Sequence, residues 1–213
     1  VSPFRRGRAA LLGMALVAFA SLGLPDGVLG VAWPSMRAAF DVPMDRLGAL
    51  LAAAMAGYLV SSAGTGWLVA RMGVGALLAA SSALMVVSTW GYALASTWPP
   101  MLASAVLAGL GAGAIDAGLN AFAATRFSVG VVTWLHACYG AGATLGPLLM
   151  TAALGAGLGW RWGYGVLGLL LAGLAVAFAL TLDLWRVGRR QGSASGAGFA
   201  ETLALGPVWP GVV

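Results

Sequence analysis

Long uncharged apolar runs, separated by short stretches that carry the charges, dominate the chain. A helix needs about 20 apolar residues to cross the hydrocarbon layer of a bilayer. Six runs are that long, at 9–33, 47–70, 74–94, 101–123, 131–154 and 163–182. No residue between Met72 and Ile115 is charged. Pro99-Pro100, after Ser96-Thr97-Trp98, divides that stretch into two spans, because paired prolines deny a helix its donors. The connections are short, so successive spans must run antiparallel. After Trp185 the pattern changes: 186–203 is rich in Arg, Gly and Ser and reads as a linker. Positions 204–213, with Val208, Trp209 and Val212-Val213, read as the approach to a seventh span. The expected organisation is an N-terminal segment 1–8, a six-helix bundle 9–185, a linker 186–203 and the start of a further span at 204–213, as in part of a longer protein.

Composition narrows the class. Apolar residues make up 61% of the 213 and charged residues 8%, against about 25% charged in an ordinary soluble domain. A soluble domain, a disordered chain and a nucleic-acid module are excluded; an all-α polytopic membrane protein in a lipid bilayer remains. The net charge of +5 comes from eleven Arg and no Lys, placed in the loops rather than in one stripe. With the N-terminus in the cytoplasm, Arg5, Arg6, Arg8, Arg71, Arg126, Arg186, Arg189 and Arg190 lie inside, and Arg37, Arg46 and Arg161 outside. That is the positive-inside distribution of a multi-pass protein of the cell membrane. Trp33, Trp67, Trp90, Trp98, Trp134, Trp160, Trp162 and Trp185 fall near span ends, as an aromatic belt would. Cys138 is the one cysteine, so it forms neither an internal disulfide nor a metal cluster.

Few residues within the spans carry chemistry. Asp26 lies in Gly23-Leu-Pro-Asp-Gly27, late in span one, where Pro25 and Gly27 loosen the helix. It either lines a binding cavity or is hydrated near the outer interface. Asp116 lies within span four, and Gly109, Gly113, Asp116 and Asn120 recur at helical spacing on one face. Small residues let another helix approach there. The acid then either gains and loses a proton during a transport cycle or makes a buried structural hydrogen bond. His136, the one histidine, reads as a proton relay or substrate ligand, or as an imidazole bonded to a carbonyl near the interface. Tyr58 and Tyr139 adjoin glycines in spans two and five and are candidate sugar ligands or packing residues. Gly142-Ala-Thr-Leu-Gly146-Pro147 reads as a helix contact and bending point. Asp26-Gly-Val-Leu-Gly30 is similar to Asp116-Ala-Gly-Leu-Asn120, with Arg37 and Phe40 following the first and Arg126 and Phe127 the second. The pattern predicts two three-helix repeats of inverted direction.

Enzymatic signatures are missing. The nearest match to a membrane serine protease turn, Ser193-Ala-Ser-Gly196, lies in the polar tail, and with no Lys there is no Walker-type phosphate loop. No cofactor or metal is expected. Aquaporin-type Asn-Pro-Ala repeats are absent.

Six spans, a basic linker and the start of a seventh resemble the first half of a major facilitator superfamily transporter. Gly66-Trp-Leu-Val-Ala-Arg71-Met-Gly73 is similar to that family's loop signature between spans two and three, with Ala70 where the signature has Asp. Gly142-x-x-x-Gly146-Pro147 resembles part of the span-five signature of antiporters. Within the superfamily the chain most resembles the fucose-permease-like branch, through Asp26, Asp116 with Asn120, and His136. The resemblance implies a sugar–proton symporter with Asp116 as the proton-coupling acid, Asp26 as a second acid, Asn120 as a sugar contact, and a second six-helix half as partner. Two alternatives stand beside it. One is an exporter of drugs or metabolites; the other is a six-span accessory or structural membrane protein without transport activity.

Overall fold

The computed structural model describes residues 3–185. The linker 186–203, the segment 204–213 and Arg186, Arg189 and Arg190 lie outside the described residues. Six α-helices and a short 3-10 turn follow one another: α1 (Pro3–Gly23), α2 (Val28–Phe40), α3 (Arg46–Leu94), α4 (Trp98–Arg126), α5 (Val129–Gly155), α6 (Trp160–Leu180) and η1 (Leu182–Trp185). No strand occurs among the described residues, and five of the helical stretches are long and apolar enough to cross a membrane. The chain is an all-α multi-pass membrane protein.

The 49 residues of α3 would reach about 74 Å as one straight helix, more than twice the hydrocarbon thickness. It is broken at Gly73, whose φ of 81° and ψ of 162° are not helical. The two arms, 46–72 and 74–94, lie on α4 in opposite directions. Along the first arm, Ala54 meets Gly109 and Tyr58 meets Gly113; along the second, Met85 meets Gly111 and Leu77 meets Gly118. Two crossings therefore occupy α3. Gly159, at the entry to α6, has nearly the same backbone geometry (φ 82°, ψ 167°). Both glycines begin the third helix of a three-helix unit, as an inverted repeat requires.

Three features differ from the sequence pattern. The first span does not end at 33: α2 carries on through Pro34 to Phe40, where Asp41 takes a left-handed conformation (φ 49°) and closes the helix on Arg37 O. Arg37 lies in that last turn, and its Nε donates to Val42 O at 3.3 Å. Pro99 and Pro100 do not lie in a loop; they occupy the first turn of α4 after an extended Thr97, where a missing N–H costs nothing. The tryptophans also divide. Trp67, Trp134 and Trp162 are exposed, but Trp33, Trp160 and Trp185 are buried in the bundle. Trp185 packs on Phe122 and Phe178, and Trp33 lies edge-on to Trp98.

The contacts that hold the bundle use backbone rather than bulk. On the α1–α5 seam a Cβ at Gly142 would overlap Ala20 O, and one at Gly146 would overlap Leu24 O. On the α3–α4 seam a Cβ at Gly109 would overlap Ala54 O. Lipid gives helices no hydrophobic reason to associate, so such close approach, with its dense van der Waals contact, supplies the attraction. Hydroxyls reinforce it, with Ser88 donating to Ser104 O at 2.7 Å and Ser62 to Gly113 O at 3.2 Å.

Candidate functional site

Asp26 is not at the outer end of its span. Pro25 and Gly27 break the element between α1 and α2: Asp26 N donates to Gly23 O at 2.9 Å, and Gly27 takes a φ of 71°. Because the apolar stretch runs from Ala9 to Phe40, this turn falls near its middle. Asp26 therefore sits near the middle of that apolar stretch, on a non-helical turn, exposed to a cavity.

Asp116 reaches the same cavity from an unbroken helix. Tyr58, on the first arm of α3, donates to Asp116 Oδ2 at 2.5 Å. Asn120 Nδ2, one turn further along α4, donates to Asp116 Oδ1 at 2.8 Å and to Asp116 O at 3.0 Å. On the other seam Tyr139, from α5, donates to Asp26 Oδ2. Two acid–tyrosine pairs thus face one cavity of about 250 Å³, whose wall includes Asp26, Tyr58, Asp116, His136 and Tyr139.

The two pairs are built alike. Gly23 precedes Asp26 by three residues and a Cβ on it would overlap Tyr139 O; Gly113 precedes Asp116 by three and a Cβ on it would overlap Tyr58 O. In each pair the glycine lets the tyrosine's backbone close in, and that approach carries the hydroxyl to the acid. The unit α1–α5 and the unit formed by α4 and the first arm of α3 are therefore equivalent. That is the relation expected if spans one to three and four to six are inverted copies.

Other residues singled out in the sequence fall in different places. His136 is exposed to the cavity, its ring edge-on to Phe19 at 5.4 Å between centroids. Asn120 touches the cavity through Asp116 rather than through its wall. Pro147 packs against Gly27, so the α5 proline sits beside the turn that carries Asp26. Gly66, Arg71 and Gly73 lie at the bend of α3, with Arg71 over the Trp67 ring at 4.8 Å. Sequence reasoning missed Phe19, Leu22 and Ala112 in the cavity wall. Phe19 and Leu22 are seven and four residues before Asp26, a helical spacing that was the available signal even though α1 ends at Gly23. Among the described residues no three His, Cys, Asp or Glu side chains gather as a metal site.

The chain belongs to the major facilitator superfamily: the model of the Major Facilitator Superfamily matches residues 10–210. It is therefore a secondary transporter in general kind, a membrane protein that moves a small-molecule substrate rather than an enzyme. No individual curated protein matches the chain.

Proposed function

We propose that the chain moves a small polar solute by proton-coupled alternating access, working in the cell membrane with its N-terminus in the cytoplasm. A second six-helix bundle, against which this one rocks, completes the path. The resemblance of Asp26, Asp116, Asn120 and His136 to the fucose-permease-like branch supports a sugar as the solute. The observation that carries the reading is the pair of carboxylates held by tyrosines in one cavity. A carboxylate facing acyl chains costs about 2.5–3.5 kcal/mol on insertion scales, and two that face a cavity instead are placed where protons and solute meet. Asp116 takes the proton; Asp26 is the second acid. Tyr58, Tyr139 and His136 offer hydrogen bonds to the solute, and Asn120 holds Asp116 in place beside it.

A second reading, export of drugs or metabolites, is favoured by one further observation. A larger, mainly apolar chamber adjoins the first and shares Asp26 and Tyr58 with it. Proteoliposomes with an imposed pH gradient test the common core of both readings. Solute accumulates, a protonophore abolishes the accumulation, and Asp116→Asn abolishes it while solute counterflow persists. Equal loss of both activities in Asp116→Asn assigns the residue to folding instead.

A further inference from the structure

The two chambers differ in chemistry, and the difference restricts what fills them. The smaller holds both carboxylates; the larger, about 470 Å³, is walled by such side chains as Leu51, Met55, Met85, Tyr92 and Tyr164. Among the described residues no Arg lines either chamber. The arginines whose side chains are described keep to the ends of the helices. Arg161 donates to Ala93 O and Ala95 O, Arg37 to Val42 O, and Arg71 lies over Trp67. Phe19, Tyr58 and Tyr139 add aromatic rings beside the acids. A second observation is independent of the carboxylates: the rings of Tyr92 and Tyr164, stacked at 5.0 Å between centroids, stand in the wall of the larger chamber and give it an aromatic face.

We infer that the two chambers together hold an amphipathic organic cation, its positive centre between Asp26 and Asp116 and its apolar body against the methionines and tyrosines. Carboxylates and aromatic faces both attract a positive centre, the more so where water is scarce. A sugar, by contrast, needs hydrogen-bond partners on every side, which the walls of the larger chamber scarcely offer. The inference rests on the proton-coupled reading above and gives it the exporter form, because cation and proton then compete for the same oxygens. Tyr58 from α3, Asn120 from α4, and Tyr139 and His136 from α5 are the side chains that face the acids. Protons entering the cavity therefore expel a cation, and the cycle is an exchange.

Binding of radiolabelled phenyltrimethylammonium to the purified full-length protein in lipid nanodiscs tests this. Saturable binding is expected, tighter at pH 8 than at pH 5.5, and at least about tenfold weaker, though not abolished, in Asp26→Asn and in Asp116→Asn. The neutral isostere tert-butylbenzene competes at least about tenfold more weakly, a comparison that needs no variant. Equal competition by tert-butylbenzene, or displacement of the label by fucose at lower concentration than by unlabelled cation, overturns the inference. Fucose accumulation driven by a pH gradient then leaves proton-coupled transport standing without it. Cation binding with no flux under any pH gradient does the reverse: the cation site stands and the coupling falls.

Discussion

The two acid–tyrosine pairs share one plan and differ in how firmly the acid is held. Asp116 sits on a continuous helix, half-buried, with Tyr58 on one oxygen and Asn120 on the other. Asp26 sits on a turn, exposed, with Tyr139 as its side-chain donor among the described residues. The cause is one residue of the repeat. The position four beyond Asp116 is Asn120; four beyond Asp26 it is Gly30, which has no side chain to give. Breaking the helix at Pro25 further frees Asp26 from its neighbours. One copy has thus become a fixed carboxylate and the other a carboxylate on a joint, beside Pro147 of the partner helix. A transporter that must both hold a proton and change shape has use for each.

Experiments that break this comparison should act unequally on the two copies. The largest effect is expected from the acids themselves. Asp116→Asn should abolish proton-driven accumulation, and Asp26→Asn should lower its initial rate by about tenfold, ~1.4 kcal/mol in the barrier; initial rates in proteoliposomes decide. Next come the seams. Gly142→Val would force a side chain into Ala20 O and should cost about 2 kcal/mol or more in thermal unfolding. Gly140→Val, whose Cβ meets open space two residues earlier, should leave the melting temperature nearly unchanged apart from helix propensity. Among the tyrosines, Tyr139→Phe strips Asp26 of its donor, whereas Tyr58→Phe leaves Asp116 with Asn120. A hydrogen bond to a charged group is worth about 1.5–3 kcal/mol, so Tyr139→Phe should cost about tenfold or more in transport and Tyr58→Phe clearly less. The smallest effect sharpens the contrast: Gly30→Asn, for which the space is open, should give Asp26 a second donor and reduce the cost of Tyr139→Phe a few-fold. An unchanged cost would mean that residue 30 does not set the difference.

Much of this architecture is readable from the chain because lipid imposes it. Apolar runs of the required length, the isolated Arg71 with Gly73, and the similarity of the segments at Asp26 and Asp116 follow from crossing a bilayer and from a duplicated unit. What could not be read is tertiary. The tyrosine hydroxyls lie 58 and 113 residues from the acids they meet, and no local period links them. The end of the first span was read short, at 33, because Pro34 and Arg37 follow, although Pro34 is carried inside α2 and the helix runs on to Phe40. Trp33, Trp160 and Trp185 resembled a belt because proximity to a span end does not tell whether an indole turns toward headgroups or into the bundle. That the Tyr164 hydroxyl is buried without a partner among the described residues leaves no trace in sequence, since only packing shows it.

The claim on which all this depends is that Asp116 carries a proton whenever solute crosses. A pH-sensitive dye trapped inside proteoliposomes, read while labelled solute flux is followed, measures it directly. Wild-type protein should move protons in fixed ratio to solute, and Asp116→Asn should move solute down its gradient with no proton signal. Solute flux without proton movement in the wild type, or an undiminished proton signal in Asp116→Asn, would contradict the account.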